Sequence, residues 1–117
     1  MKIISGKRSS GKSIRLIKEA ASNFSYIVCA NRKRVRYISE WAKAFGYDMP
    51  FPITYDEFLL AKFTGTRIKS FVIDDVDDLL RYIARGVPVK AFTYSVDEED
   101  SEEELELAKE LMEEDEH

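Results

Sequence analysis

The sequence predicts an α/β domain, a three-layer sandwich in which helices cover both faces of a five-stranded, mostly parallel sheet, with an acidic helix added at the C-terminus. Short β-branched runs alternate with segments that place apolar residues at helical spacing. The strand segments are apolar almost throughout, as is typical of parallel strands covered on both faces. The chain has 117 residues, of which 44% are apolar, which suffices for one domain with a hydrophobic core.

The segments are assigned from composition and spacing. In chain order the predicted strands, which are rich in Ile, Val, Phe and Tyr, cover residues 2–5, 26–30, 51–54, 70–74 and 89–94. The predicted helices between them cover residues 14–21, 32–45, 55–63 and 76–85. Gly46 and Gly86 follow the second and fourth helices, and a glycine in this place is a common helix stop.

Charge divides the chain into a basic body and an acidic tail. Residues 1–96 carry 17 Lys and Arg against 9 Asp and Glu, a balance of +8, whereas residues 97–117 carry one Lys against 13 acidic residues, a balance of −12. We predict a folded domain over the first range and, within the tail, an amphipathic helix over residues 101–114. A basic body indicates an anionic partner such as nucleic acid. The acidic tail would compete with this partner for the basic body, bind a protein partner, or only keep the chain solvated.

Composition excludes several classes of protein. The single cysteine, Cys29, rules out a disulfide framework and a multi-cysteine metal site, and it fits the reducing cytosol. No apolar run approaches the roughly 20 residues of a membrane helix. The N-terminus turns polar after four residues, unlike a secretory signal. We therefore expect a cytoplasmic protein without a membrane partner.

The most specific motif is GKRSSGKS at residues 6–13, which matches G-x-x-x-x-G-K-[ST] and lies between a predicted strand and a predicted helix. Its glycines allow backbone N–H groups to surround an anion, and the helix that follows adds its positive end. Lys12 would reach the β- and γ-phosphates of a nucleotide, and the Ser13 hydroxyl would bind Mg²⁺. The predicted nucleotide-binding residues are Gly6, Lys7, Arg8, Ser9, Ser10, Gly11, Lys12 and Ser13. The alternative is a surface turn rich in Gly, Ser and Lys.

A second motif, FVIDD at residues 71–75, is an apolar strand that ends in acidic residues. Asp74 would present its carboxylate beside the phosphate loop and hold Mg²⁺, usually through a water molecule. The alternative is that Asp74 caps the helix that starts at Val76, a role that Asp75 could serve equally well.

These two motifs resemble the Walker A and Walker B motifs of P-loop NTPases, and the position of the second motif on the fourth strand is most similar to the RecA-like, helicase-like branch. The resemblance covers nearly all of residues 1–96, which would form a nucleotide-binding domain. It implies the strand order 5-1-4-3-2, with ATP and Mg²⁺ as cofactors. A G-protein would need an N-K-x-D motif to read its base. The segment NRKR at residues 31–34 does not match this motif, which favours adenine as the base.

The resemblance also implies roles in hydrolysis. Lys12 and Asp75 would be the catalytic residues, but relatives carry Glu where this chain has Asp75, so we expect weak hydrolysis. A polar sensor of the γ-phosphate is expected at the end of the last strand, where Thr93 and Ser95 lie, and ordinary strand-end polarity explains them as well. An arginine finger would have to come from another subunit, for example in a homo-oligomer. Candidates for the finger are Arg36, Arg67, Arg81 and Arg85.

A basic cluster opens the second predicted helix, at the edge of the sheet where the nucleotide would bind. Its members are Arg32, Lys33, Arg34 and Arg36. Cations at the start of a helix oppose the helix dipole, which indicates an anion at this place, either nucleic acid or the acidic tail. The alternative is a solvated face in which Arg36 pairs with Glu40.

Three functions are compatible with these features. The leading hypothesis is an ATP-binding protein with weak Mg²⁺-dependent hydrolysis that acts on or near nucleic acid as a subunit of a larger assembly. The second is a nucleotide-gated interaction module with little or no hydrolysis. A small-molecule kinase is the weakest, because residues 1–96 leave little room for a lid and an acceptor pocket.

Overall fold

Helices and strands alternate along the basic body, and one further helix lies in the acidic tail. The structure, a computed structural model, describes residues 1–7, 11–63, 69–95 and 101–115, with the side chains of the last range described from 105 to 113. The helices are α1 (Lys12–Asn23), α2 (Arg32–Ala44), α3 (Tyr55–Leu59), α4 (Val76–Ile83) and α5 (Ser101–Asp115). The strands are β1 (Tyr26–Cys29), β2 (Ile53–Thr54) and β3 (Phe71–Ile73).

The three strands form a parallel sheet in the order β2-β1-β3. Val28 on β1 lies opposite Ile53 on β2 and Ile73 on β3. Because all three strands run in the same direction, their carboxyl ends meet at one edge of the sheet. The helices α2, α3 and α4 begin at this edge, which is where parallel α/β sheets bind their ligands.

The prediction of a five-stranded sheet is wrong, because the described residues contain three strands, although the architecture is still mixed α/β. The segments 2–5 and 89–94 form no strand. Ile4 packs against the core, and the Tyr94 hydroxyl donates a hydrogen bond to the carbonyl oxygen of Met1. A β-branched composition favours an extended backbone, but a strand also needs a neighbour in register, and side-chain contacts hold these segments instead.

The predicted strand order 5-1-4-3-2 is also wrong for the strands that form. That order places the third predicted strand beside the fourth, whereas β1, the second predicted strand, lies between them. Ile27, Val28 and Cys29 of β1 are completely buried. The strand that is buried on both faces therefore takes the centre, where both of its edges are paired.

The side chains of β1 alternate between two apolar layers, as expected for a strand covered on both faces. The layer beneath α1 and α2 contains Leu16, Ile17, Ala20, Ile27, Cys29, Val35, Ile38 and Ala42. The layer on the opposite side, beneath α3 and α4, contains Val28, Ile53, Tyr55 and Leu79. Complete burial of a large apolar side chain contributes about 1.5–3 kcal/mol, so these two layers hold the sheet edge and the helix starts in place.

The predicted tail helix is present as α5, but its apolar side chains are not buried. Between 54% and 69% of the surface of Leu105, Leu107, Leu111 and Met112 is exposed. Among the described helices, none combines the length and the apolar character that crossing a membrane requires.

Candidate functional site

A single arginine joins the two motifs at the carboxyl edge of the sheet. Arg34 Nε donates a hydrogen bond to Asp74 Oδ2 at 2.7 Å, and a terminal nitrogen of the same guanidinium donates to Ser13 Oγ at 2.8 Å. Ser13 belongs to GKRSSGKS and Asp74 to FVIDD, so the two predicted metal ligands both contact one cationic group. The interaction with Asp74 is also an ion pair.

Three local structures position this cluster. Ser13 lies in the first turn of α1 and Arg34 in the first turn of α2, where the Asn31 side chain caps the helix by accepting a hydrogen bond from the Arg34 backbone at 2.9 Å. Asp74 follows β3 directly, and its backbone N–H donates to the carbonyl oxygen of Val28 at 2.9 Å. Each residue is therefore anchored by regular backbone structure, and the Arg34 side chain reaches the other two over hydrogen-bond distances.

The Arg34–Asp74 pair is partly desolvated. The Arg34 side chain is 33% exposed and that of Asp74 is 18% exposed. The hydrogen bond to Asp74 raises the pKa of Arg34 above its usual value, so the guanidinium stays charged. Its carbon also lies 5.3 Å from the centre of the Tyr37 ring, a cation–π contact. The sequence predicts Arg34 as a possible nucleic-acid contact, and in the structure its side chain is turned towards the two motifs.

Tyr55 supports the turn between β3 and α4, a role that the sequence analysis missed. Its hydroxyl lies 2.9 Å from the carbonyl oxygen of Asp74 and 3.1 Å from that of Asp75, so it donates to this turn. Burial raises the pKa of Tyr55 above its usual value, and the charge of Asp78 adds to the effect, which keeps the hydroxyl protonated as a donor. The available signal was the capping box of Thr54 and Glu57, which starts α3 and places Tyr55 at its first position.

Asp75 takes the capping role that the sequence analysis left open between Asp74 and Asp75. Asp75 Oδ1 accepts a hydrogen bond from the backbone of Asp78 at 3.1 Å, and the residue has a φ of 63°. Aspartate tolerates this left-handed conformation better than most residues. The Asp74 carboxylate is thereby left for Arg34, and one oxygen of the predicted catalytic residue Asp75 is engaged in the helix cap.

The start of α1 has the features that favour an anion. Gly11 has a φ of 82°, a left-handed conformation that suits glycine, and the described residues provide no side-chain cap for this helix. Among the described residues, no side chain accepts from the N–H groups of the first turn, where Lys12 and Ser13 lie, and such an arrangement suits a phosphate. Gly6 and Lys7 are exposed, whereas the predicted residues Arg8, Ser9 and Ser10 lie outside the described residues.

These residues fit a nucleotide with Mg²⁺. A serine hydroxyl and a carboxylate are hard oxygen ligands, and both already contact a cation. Within the described ranges, no cluster of three or more His, Cys, Asp or Glu could hold a metal by itself. Mg²⁺ commonly binds through one or two carboxylates together with the phosphates of a substrate, so a metal at Ser13 and Asp74 would depend on a nucleotide.

The remaining predicted residues do not join this cluster. Arg32, Lys33 and Arg36 are exposed at the start of α2. Over the part of the chain that the structure describes, the ion pairs are Lys2–Glu19 and Arg34–Asp74, so the alternative pairing of Arg36 with Glu40 is not formed.

Thr93 and Ser95 are exposed outside the sheet, so neither lies at a strand end as the prediction of a sensor assumed. Of the candidate fingers, Arg81 and Arg85 are exposed on and after α4, and Arg67 lies outside the described residues. Cys29 is buried, as expected for a core residue; burial and then the charge of Asp74 raise its pKa to about 12, which makes it an unreactive thiol.

No protein-family model matches the chain, and no curated protein or solved structure is detectably similar to it. The interpretation of the site therefore depends on its own motifs and geometry.

Proposed function

We propose that the chain is an ATP-binding P-loop protein with weak Mg²⁺-dependent hydrolysis that works on or near nucleic acid as a subunit of a larger assembly in the cytoplasm. The observation that carries this proposal is the contact of Ser13 and Asp74 with one guanidinium. The two residues are separated by about sixty positions in the chain, yet they converge at the sheet edge as the Walker interpretation requires.

Each residue has a defined part in the proposed site. The left-handed Gly11 and the uncapped first turn of α1 would hold the phosphates, with Lys12 neutralising their charge. Ser13 and Asp74 would hold Mg²⁺. When bound, the metal ion would neutralise the charge that develops on the β- and γ-phosphate oxygens.

Weak hydrolysis is proposed because of Asp75. Its side chain is one methylene shorter than the glutamate usual at this place in the RecA-like P-loop NTPases that the motifs resemble, and Oδ1 already accepts the capping hydrogen bond from the Asp78 backbone. The carboxylate has limited freedom to orient an attacking water without weakening that cap.

Nucleic acid is proposed as the partner because of the basic body, whose charge balance is +8. Arg32, Lys33 and Arg36 stand exposed beside the proposed nucleotide site. Exposed cations of this kind favour phosphate backbones, and binding through them would weaken as salt increases.

The test is the binding of a fluorescent ATP analogue in the presence of Mg²⁺, followed by ATP turnover with and without single- and double-stranded DNA. We expect Lys12→Ala to lose binding while it stays folded. Lys18→Ala, which removes an exposed lysine from the same helix, is the matched control and should bind as the wild type does. Equal binding by the wild type and Lys12→Ala would refute the assigned site.

A second function, a nucleotide-gated interaction module, is favoured by the same capping bond of Asp75. In that case ATP binds without turnover above the Lys12→Ala background, and deletion of residues 97–117 changes affinity for DNA or a protein partner more than affinity for ATP. Equal changes in both affinities would count against the module.

A further inference from the structure

The two proposed metal ligands already hold a cation that belongs to the chain itself. Arg34 donates to Asp74 Oδ2 and to Ser13 Oγ from one guanidinium, at 2.7 and 2.8 Å. The cation–π contact with Tyr37 and the cap at Asn31 keep Arg34 in this place. The positive charge of Arg34 therefore lies against both proposed metal ligands.

Arg34 competes with Mg²⁺ for these two side chains. Mg²⁺ requires near-ideal octahedral coordination with ligands about 2.0–2.1 Å away and keeps several waters. A guanidinium within hydrogen-bonding distance of both ligands fills this space, and its positive charge repels the metal ion. Mg²⁺, held by Ser13 directly and by Asp74 directly or through a water molecule, is therefore expected to displace the guanidinium as it binds.

We propose that Arg34 is a built-in competitor of Mg²⁺, which stabilises the metal-free site and sets the Mg²⁺ concentration at which the nucleotide site is completed. The proposal rests on the proposed function, because it takes Ser13 and Asp74 as the metal ligands. It assigns Arg34 a role different from that of its neighbours Arg32 and Lys33, which are exposed on the same turn.

The competition has two measurable consequences. In the metal-free protein, Arg34 offsets the charge of Asp74, whose side chain is only 18% exposed, so loss of Arg34 lowers stability. In the presence of nucleotide, loss of Arg34 removes the competitor, so less Mg²⁺ is needed to complete the site.

The experiment compares Arg34→Met and Arg34→Lys with the wild type and with Lys43→Met, which removes a cation from the other end of α2. One measurement is the Mg²⁺ concentration that gives half-maximal binding of a fluorescent ATP analogue, a readout of binding and not of turnover. The other is the melting temperature in EDTA without nucleotide, and circular dichroism establishes that each variant is folded.

For Arg34→Met we expect the half-maximal Mg²⁺ concentration to fall about ten-fold. This factor corresponds to about 1.4 kcal/mol, close to the lower end for a hydrogen bond to a charged group, because the pair is partly exposed. The melting temperature in EDTA should fall as well. Arg34→Lys, which keeps the charge but not the fork of donors, should give a smaller shift in the same direction. Lys43→Met should match the wild type in its Mg²⁺ requirement, with at most a small fall in melting temperature because a cation in the last turn favours the helix dipole.

An unchanged or increased Mg²⁺ requirement in a folded Arg34→Met protein would overturn the competition. Loss of nucleotide binding in that folded variant would also overturn it, because Arg34 would then contribute to binding. If Arg34→Met does not fold, the half-maximal Mg²⁺ concentration of Arg34→Lys is the test: a decrease supports the competition, and an unchanged or increased value overturns it. If the wild type itself does not bind the nucleotide with Mg²⁺, the proposed function fails first, and the failure appears in the wild type and not in the variants.

Discussion

The turns that follow β1 and β3 are built alike but carry opposite charge. In each, a side chain caps the next helix by accepting a backbone hydrogen bond, Asn31 for α2 and Asp75 for α4. The first turn of α4 contains Asp77 and Asp78, which agree with the helix dipole. The first turn of α2 is basic and opposes its dipole. The contact of Arg34 with Asp74 joins the two turns.

The difference shows that the cap of the basic turn stabilises its own helix but the charges of that turn do not. The acidic turn helps α4 directly, whereas the basic turn gains mainly by reaching a carboxylate on the neighbouring strand. This contrast can be tested by changes that act on both turns, on one turn or on a single charge.

Alkaline pH should have the largest effect on stability, because it ionises Cys29, a buried thiol at the end of β1 whose pKa is affected by the charges of Asp74 and Arg34. Burial, and then the charge of Asp74, raise its pKa from 9.0 to about 12. A raised pKa in the folded state means that the contribution to stability is complete below pH 9 and declines as pH rises towards 12, by about 1.4 kcal/mol per pH unit. Urea unfolding between pH 8 and 11 should show this decline.

The control for the thiol is Cys29→Ala. Its stability at pH 8 should be lower because a buried atom is lost, but it should decline less steeply between pH 9 and 11. Parallel curves for the two proteins would show that other groups cause the alkaline loss.

Asp74→Ala should break the connection between the two turns. Arg34 loses its carboxylate, and we expect the free energy of unfolding to fall by about 1–2 kcal/mol, less than for a fully buried pair because the guanidinium is one-third exposed. Urea denaturation measures the change. Asp48→Ala, at an exposed position in a loop, should alter stability little. An equal effect in both variants would mean that Arg34 contributes nothing through Asp74.

Asp75→Ala should weaken the acidic turn alone. It removes the cap of α4 and places alanine at a φ of 63°, for an expected loss of about 1–2 kcal/mol in urea denaturation. Asp75→Asn can cap the helix and tolerate the same backbone, so it should stay within about 0.5 kcal/mol of the wild type. A large loss in Asp75→Asn would indicate that the charge, and not the cap, matters at this position.

Tyr55→Phe should loosen the acidic turn by about 1 kcal/mol, because the carbonyl groups of Asp74 and Asp75 lose a buried donor. Thermal unfolding provides the measurement. Tyr47→Phe is a suitable comparison, since Tyr47 packs against the other core layer. If Tyr55→Phe is as stable as the wild type, the hydroxyl does not hold the turn.

The smallest expected effect is that of removing a single charge from the first turn of α2 or of α4. Arg32→Gln removes a cation from the start of α2 and should raise stability by a few tenths of a kcal/mol. Asp77→Asn removes an anion from the start of α4 and should lower it by a similar amount. Chemical denaturation at low salt measures both, and high salt should reduce both differences. Changes of the same sign would contradict the dipole interpretation.

Local sequence signals were sufficient to predict most of the helices, one buried strand and the two motifs. Three helices begin at the predicted residues Arg32, Tyr55 and Val76. The buried strand at 26–30 is present as β1, and the tail helix is present as α5. The motifs also located Ser13 and Asp74, which the fold brings to one guanidinium.

Non-local interactions were not predictable in the same way. Segments 2–5 and 89–94 have the composition of strands but lack strand pairing, and β1 takes the place between β2 and β3 that the resemblance did not imply. Arg34 has the same charge as Arg32 and Lys33, and the sequence analysis grouped all of them as possible nucleic-acid contacts.

The sequence by itself determined which segments become helices, where they start and which residues form the two motifs, because caps, glycines and apolar periodicity act over a few neighbouring positions. Only the tertiary structure decided which strands pair and which partner each polar side chain contacts. Pairing depends on competition between distant segments for the central position, and the orientation of Arg34 depends on Asp74, forty residues further along the chain. For this reason the contacts of Arg34 with Ser13 and Asp74, which carry the proposed function, could not be predicted from the sequence and were found only in the structure.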